Sequence, residues 1–128
     1  MTAMLVTLAL MASGDPSPVV TNYPGCNTRS CVTRVQRRTR GKTRRRWTRT
    51  VAPLDAYLTR IARCESGLRW HLSTGNGFFG GLQFTLPSWA AVGGSGYPHH
   101  ATPLEQKYRA VRLSRLQGWG AWPVCRWA

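Results

Sequence analysis

The sequence predicts an α+β domain that is mainly helical, with a short β-hairpin, in residues 51–128 of a chain of 128 residues. Three observations support this prediction. Apolar residues recur at helical spacing in three segments, and a glycine-rich stretch between the first two contains an Asn-Gly turn signal. Five of the six tryptophans and all three phenylalanines follow residue 50, so only this part of the chain has the apolar content to bury a core.

The first helix is predicted over residues 53–66. Pro53 is favourable in a first helical turn, and Gly67 is suited to end the helix. A short second helix is predicted over residues 86–92, because two glycines follow it. Between these helices, residues 74–84 predict the hairpin, since the Asn-Gly turn is flanked by aromatic residues that suit strands.

The third helix is predicted to begin after Thr102 and to end at Gly118. Thr102 and Glu105 have the spacing of a capping box, with Pro103 at the first helical position. A glycine directly after the last periodic residue is a common helix end. The apolar face predicted for this helix consists of Leu104, Tyr108, Val111 and Leu116.

The N-terminal half predicts a leader followed by a tail. Residues 1–14 match a signal peptide, although the basic residues that usually precede its apolar run are absent, which suggests a truncated or misassigned start. The run is too short to span a bilayer, so no stable membrane insertion is expected. Residues 15–50 predict a disordered basic tail, because nine cations fall within residues 34–49 and little apolar content offsets the ordering entropy. Such a tail suits either attachment to a polyanion or a solvated linker.

Size and charge restrict the class of protein. A multidomain enzyme and a doubly wound nucleotide-binding fold do not fit in 128 residues. The 18 Lys and Arg against 4 Asp and Glu give a net charge of +14, which favours an anionic partner such as nucleic acid, a membrane surface or an acidic polymer. Nucleic acid is not favoured as the primary ligand, because the predicted domain contains no recognised nucleic-acid-binding motif.

Four cysteines allow three pairings. Cys64 lies near the end of the first helix and Cys125 near the end of the chain, so a bond between them would close a long loop and stabilise the domain by about 4 kcal/mol. Cys26 and Cys31 lie in the predicted tail and can pair locally or with another chain. No metal or other cofactor is indicated, because no Cys-x-x-Cys or nearby histidine pattern accompanies the cysteines. Paired cysteines imply an oxidising compartment.

The four acidic residues can be sorted by position. Asp15 belongs to the leader, Asp55 lies in a first helical turn where a negative charge is favourable, and Glu105 belongs to the capping box. Only Glu65 lacks a structural role. At a helix end facing aromatic residues, desolvation would raise its pKa and make it a proton donor for a glycosidic oxygen. The alternative is an ordinary exposed glutamate at a helix end.

Several ordered motifs closely resemble the resuscitation-promoting factor domain, a family of secreted peptidoglycan-cleaving proteins. The resemblance covers residues 53–127 and none of residues 1–50. The motifs that carry it are Ile61-Ala-Arg-Cys-Glu-Ser-Gly67, Trp70-His71, Thr74-Gly-Asn-Gly77, Gly80-Gly-Leu-Gln-Phe84, Trp89 and Gln117-Gly-Trp-Gly-Ala-Trp-Pro-Val-Cys125. The resemblance implies a fold like that of lysozyme and the lytic transglycosylases, with Glu65 as catalytic acid and a disulfide between Cys64 and Cys125.

The resemblance also implies a substrate cleft. Ser88 stands where the family usually has threonine and keeps the hydroxyl, whereas Leu68 and Arg69 depart from the usual glycine or asparagine and are expected to alter the rim of the cleft. Gly80 and Gly81 would allow the glycan to approach the backbone closely. The candidate substrate-binding residues are Trp70, Thr74, Gln83, Ser88, Trp89 and Gln117, with Phe78 and Phe79 as further stacking surfaces. The alternative for each of these aromatic residues is a place in the core, which is the more common role of a single aromatic side chain.

The scarcity of acids favours a mechanism with one carboxylate, although most glycosidases use two. Glu65 would protonate the bond between N-acetylmuramic acid and N-acetylglucosamine and then accept a proton from the muramyl C6 hydroxyl, leaving a 1,6-anhydro end. Asp55 precedes Glu65 by nearly three helical turns, so hydrolysis by water stays open only on the condition that Asp55 approaches Glu65.

The predicted function is therefore that of a secreted, monomeric peptidoglycan glycosidase in wall remodelling or resuscitation from dormancy, with a basic tail attracted to anionic wall polymers. The alternatives are a non-catalytic wall-binding or signalling module and a basic nucleic-acid-binding protein.

Overall fold

The computed structural model describes residues 24–128, so the predicted signal peptide and residues 15–23 of the predicted tail lie outside the described residues. The fold is mainly helical, as predicted, and among the described residues it contains isolated β-bridges in place of regular strands. None of the helices described in residues 24–128 is both long and apolar enough to cross a membrane. The α-helices are α1 (Arg29–Val51), α2 (Asp55–Ser66), α3 (Leu86–Ala91) and α4 (Pro103–Gln117). Short 3₁₀ helices occupy Ala52–Leu54, Pro98–His100, Trp119–Ala121 and Cys125–Trp127.

The disorder predicted for residues 15–50 is wrong for α1. Arginine is a good helix former, and the Thr28 hydroxyl caps the helix by accepting a hydrogen bond from the Cys31 N–H at 3.3 Å. At its other end the helix packs on the domain, where the Trp47 ring stacks on the Tyr108 ring of α4 at 5.4 Å and Val51 is buried. These apolar contacts supply stabilisation that charge density alone did not reveal.

Helix α2 confirms the prediction for residues 53–66. Pro53 lies in the 3₁₀ turn that leads into the helix, and Gly67 ends it in the left-handed conformation with φ of 63°. The apolar face of α2 is fully buried at Leu58 and Ile61. This face anchors the helix in the core and fixes the position of its last turn, which carries Glu65.

Helices α3 and α4 begin and end close to the predicted residues. The Thr102 hydroxyl accepts from the Glu105 N–H at 3.2 Å, which is one half of the predicted capping box. The other half is absent, because the Glu105 carboxylate pairs with Arg109 at 3.0 Å. The prediction that Leu116 belongs to the apolar face is wrong, because Leu116 is 67% exposed and Leu113 is buried instead.

The predicted hairpin is reduced to a compact turn. Two isolated antiparallel bridges join Ser73 to Phe79 and Phe79 to Phe84. Phe79 and Phe84 exchange two backbone hydrogen bonds of 2.9 Å, and the Asn76 side chain accepts from the Phe78 N–H at 3.1 Å. Positive φ at Gly80 curls the chain between the bridges, so the ladder does not extend.

A buried glutamine joins this turn to α4. The Gln106 side chain accepts from the Gly81 N–H at 2.9 Å and donates to the carbonyls of Trp70 at 2.8 Å and Ala101 at 3.0 Å. The glycines predicted to lie against a glycan are instead packed against protein: a Cβ on Gly80 would meet the Gln106 amide and one on Gly81 the Trp70 ring. The core around this junction combines α2, α4, the turn and the C-terminal segment.

Candidate active site

Two adjoining cavities form one cleft along the turn and the C-terminal segment. The cavity at Glu65 has a volume of about 310 Å³, and its neighbour at Ser88 and Gln117 about 110 Å³. They share the walls Phe78, Gln83, Ala121 and Trp122. We call these two cavities together the Glu65 cleft.

Glu65 lies in the last turn of α2 and is partly buried at the cleft wall. Burial raises the pKa of its carboxyl group above the ordinary glutamate value. The two ion pairs found within residues 24–128 involve other carboxylates, so no cation there counteracts this shift. A carboxyl group in this setting retains a proton to higher pH than an exposed glutamate and can donate it to a bound ligand.

The disulfide between Cys64 and Cys125 borders the cleft, because Cys125 lines the Glu65 cavity. Its Cα atoms lie 5.6 Å apart, and it ties the end of α2 to the last 3₁₀ turn of the chain. The Tyr57 hydroxyl reinforces this attachment by donating to the Arg126 carbonyl at 2.8 Å. As a result, the segment that ends at Cys125 is held next to Glu65.

The other carboxylates of the described chain are held elsewhere. Asp55 pairs with Lys107 of α4 at 2.6 Å and lies at the opposite end of α2 from Glu65. Ten residues of α-helix separate the two acids, which corresponds to about 15 Å along the axis. Glu105 is engaged by Arg109. Within residues 24–128, the Glu65 cleft therefore contains a single acidic side chain.

Three candidates from the sequence line the cleft with polar side chains, namely Gln83, Ser88 and Gln117, and Thr85 is a further polar lining residue. Gln83 lies between the two cavities with a left-handed backbone, φ of 53°, and its side-chain amide donates to the Gly80 carbonyl at 2.8 Å. A non-glycine residue in this conformation is strained and is held by its surroundings. The Ser88 hydroxyl donates to the Thr85 carbonyl at 3.0 Å. These side chains line one continuous surface next to Glu65.

Three other candidates do not line the cleft. Trp89 is only 1% exposed, with its indole N–H donating to the Ser95 carbonyl, so it belongs to the core. The Trp70 ring packs against Gly81, under the Nζ of Lys107 at 5.6 Å. Thr74 is exposed in the turn, outside both cavities.

The two adjacent phenylalanines have different surroundings. Phe78 is 45% exposed and lines both cavities. Phe79 stacks on His99 with ring centroids 5.5 Å apart and contacts Tyr97, away from the cleft. Of the four aromatic side chains predicted as stacking surfaces, only Phe78 lines the Glu65 cleft.

Trp122 and Val124 are among the cleft residues that the sequence does not single out. Trp122 lines both cavities and fixes its ring by donating to the Leu82 carbonyl at 2.8 Å. Val124, which is 77% exposed, borders the Glu65 cavity. Both lie in the segment before Cys125, and the tryptophan-rich motif there was the available signal.

The Leu68-Arg69 departure lies outside the two cavities. Leu68 continues the left-handed turn after α2 with φ of 65° and packs on the core. The Arg69 Nε donates to the Ser66 carbonyl at 2.7 Å. Neither residue lines the cavities, so the predicted alteration of the rim is not observed.

Comparison with known proteins gives results consistent with this geometry. The family described as transglycosylase-like domain matches residues 52–125. Resuscitation-promoting factor Rpf of Micrococcus luteus is 64% identical over 74 residues, covering 58% of this chain and 33% of the relative. Resuscitation-promoting factor Rpf1 of Corynebacterium glutamicum is 49% identical over 74 residues, covering 56% and 38%. Resuscitation-promoting factor RpfE of Mycobacterium tuberculosis is 52% identical over 65 residues, covering 51% and 38%. The matched part thus spans 33–38% of the length of these relatives.

Proposed function

The chain belongs to the resuscitation-promoting factor family through its transglycosylase-like domain, and on this premise we propose that it cleaves the glycan strands of peptidoglycan with Glu65 as its catalytic carboxylate. One observation supports the residue assignment above all. Glu65 is the single carboxylate lining the cleft within the described residues, and burial raises its pKa. Cleavage of a glycosidic bond requires an acid that protonates the leaving oxygen, and a protonated carboxyl group in a cleft bordered by aromatic and amide side chains can supply it.

In the first step, Glu65 donates its proton to the oxygen that links N-acetylmuramic acid to N-acetylglucosamine. The bond between that oxygen and the muramyl C1 breaks, and positive charge develops on C1. Glu65 is now a carboxylate and accepts the proton of the muramyl C6 hydroxyl as its oxygen attacks C1. The product carries a 1,6-anhydro ring, Glu65 is protonated again, and no water is consumed.

This route needs one carboxylate that alternates between acid and base. Direct hydrolysis of the usual kind needs a second carboxylate, at about 5 Å for retention or 6.5–9.5 Å for inversion. Asp55 lies about 15 Å along the helix axis from Glu65 and is held by Lys107. The intramolecular route is therefore the reaction that we propose.

The remaining cleft residues would bind the glycan. Phe78 offers an exposed ring face on which a sugar can stack, next to Glu65. Gln83, Ser88 and Gln117 present amide and hydroxyl groups to hydroxyl and acetamido groups of the sugar. Gln83 contributes to both cavities, so we assign it the contact closest to the scissile bond.

The protein would act outside the cytoplasm, on the cell wall. The described residues contain two disulfides and no free cysteine, which fits an oxidising compartment. We propose that it acts there as a monomer, because the cleft is formed from one chain.

Incubation with purified peptidoglycan and mass analysis of the released fragments tests this function. We expect fragments with anhydromuramyl ends, and a loss of release of at least 100-fold in Glu65→Gln. Glu105→Gln is the matched control, because it makes the same chemical change outside the cleft and should retain release. Equal release by Glu65→Gln and wild type would refute the assignment of Glu65. Binding to walls without any release would instead indicate a non-catalytic wall-binding module.

A further inference from the structure

Helix α1 carries a dense positive charge that nothing in the proposed reaction uses. Its 23 residues include nine arginines and Lys42, and no acidic residue. The two ion pairs found within residues 24–128 are formed by Lys107 and Arg109 of α4. The charge of α1 is therefore uncompensated by the described part of the chain.

The cations of α1 are arranged for contact with an extended ligand. All ten are exposed. Five of them follow one side of the helix at intervals of four, four, three and four residues, and extend over about 22 Å at 1.5 Å per residue. These five are Arg34, Arg38, Lys42, Arg45 and Arg49.

The helix is attached to the domain through its last turns. Trp47 stacks on Tyr108 and lies under the guanidinium of Arg109 at 5.8 Å. A groove of about 670 Å³ separates the preceding turns from the start of α4, with Arg40 and Arg44 at its edge. After Val51 the chain passes through one 3₁₀ turn directly into α2, which carries Glu65. A ligand held by α1 would therefore be held close to the domain that contains the cleft.

Repulsion between like charges opposes the helical order of α1. Arg34 and Arg38, like Arg45 and Arg49, are like charges four residues apart, which destabilise an isolated helix. Gly41 in the middle of the helix weakens it further. An anionic polymer along the basic side would remove this repulsion, so its binding and the helical order of α1 should be coupled.

We propose that α1 is a docking helix for the anionic polymers of the cell wall, with repeated phosphodiester groups as the recognised chemistry. The guanidinium group binds phosphate through two parallel hydrogen bonds, and cations on successive turns suit a repeated anion rather than a single one. The choice of a wall polymer rests on the proposed function, because a peptidoglycan substrate places the chain where such polymers are attached. Docking would concentrate the enzyme on its insoluble substrate.

The full chain can be tested with poly(glycerol phosphate) as the probe. Arg34→Gln/Arg38→Gln removes two charges from α1, and Arg112→Gln/Arg115→Gln removes two exposed charges from α4, so both variants have the same net charge. We expect at least a tenfold loss of affinity at 50 mM salt for the α1 pair and less than a twofold loss for the α4 pair. The slope of log K against log salt should fall by about 1.4–1.8 for the α1 pair. Equal losses in the two variants would overturn the proposal.

Further measurements separate docking from catalysis. The α1 pair should release fragments at the wild-type rate from walls stripped of phosphate polymers, and several-fold more slowly from intact walls. Polymer binding by a chain that releases no fragments would refute the proposed catalysis and leave the docking helix supported. Binding to duplex DNA or to anionic lipid vesicles is compared with binding to poly(glycerol phosphate) at equal phosphate concentration and salt. Tenfold tighter binding to either of the first two would overturn the assignment to wall polymers.

Discussion

Removal of the Cys64–Cys125 disulfide should both destabilise the domain and loosen one wall of the cleft. The bond joins residues 61 positions apart, and the loop-entropy relation for a closed loop of this length gives about 4 kcal/mol at 25 °C. Since small domains have unfolding free energies of about 5–15 kcal/mol, this is a large share of the total. For a domain of this size, the melting temperature should fall by about 15–30 °C.

The matched control is the other disulfide. Cys26 and Cys31 are 5 positions apart, and the same relation gives about 2 kcal/mol as an upper value, because the bond constrains only the start of α1. Cys64→Ser/Cys125→Ser and Cys26→Ser/Cys31→Ser therefore make equal chemical changes with different expected effects. Thermal and urea unfolding followed by circular dichroism measure both.

A second readout connects stability to the cleft. The residues before Cys125 form one wall of the Glu65 cavity, and after loss of the disulfide they are held by weaker contacts such as the hydrogen bond from Trp122 to Leu82. Fragment release below the melting temperature should therefore fall in the Cys64–Cys125 variant and not in the Cys26–Cys31 variant. Equal melting temperatures in the two variants would refute the stabilising role of the Cys64–Cys125 disulfide. A decrease of less than about 5 °C in the Cys64→Ser/Cys125→Ser variant would also refute it.

Three further variants test other parts of the structure. Burial raises the pKa of Glu65, so the folded chain binds more protons than the unfolded chain between the two pKa values, and stability falls as pH rises through that window. The Glu65→Gln variant has no such titration, so it should not lose stability in this window. In urea unfolding, its unfolding free energy minus that of the wild type should therefore increase from pH 4 to pH 7. A difference that stays constant with pH would contradict the raised pKa. Gly81→Ala places a methyl group against the Trp70 ring and should reduce the unfolding free energy by about 1–3 kcal/mol, measured by urea unfolding. Trp47→Ala removes the stack on Tyr108, so α1 should exchange its amide hydrogens faster while α2 keeps its protection; unchanged exchange in α1 would show that another contact holds it.

Local signals in the sequence were sufficient for the helix ends of the domain. Gly67, Thr102 and Gly118 act where capping preferences place them, because a cap depends on a few neighbouring residues. The helical order of α1 depends instead on Trp47 meeting Tyr108, which lies 61 residues later in the chain. A prediction of disorder from local charge cannot include a contact between residues so far apart in the sequence.

The positions of Trp70 and Trp89 were harder to predict for a related reason. Gly81 and Gly94 leave the space into which the rings of Trp70 and Trp89 pack. From the sequence, the same combination of glycine and tryptophan also fits a backbone that a sugar approaches and a ring on which it stacks. Only the three-dimensional arrangement shows whether the protein's own ring or a ligand fills the space.

The scarcity of acids connects the two proposals. Among the described residues, Asp55 joins α2 to α4 through Lys107 and Glu105 pairs within α4 through Arg109, so structural ion pairs engage both acids outside the cleft. A further acid near Glu65 would compete for its proton, and acids along α1 would neutralise the charge that docking requires. A chain with few acids can therefore keep one unpaired carboxyl group in its cleft and an uncompensated basic helix beside it. The same feature of the composition favours single-carboxylate chemistry and attraction to a polyanion.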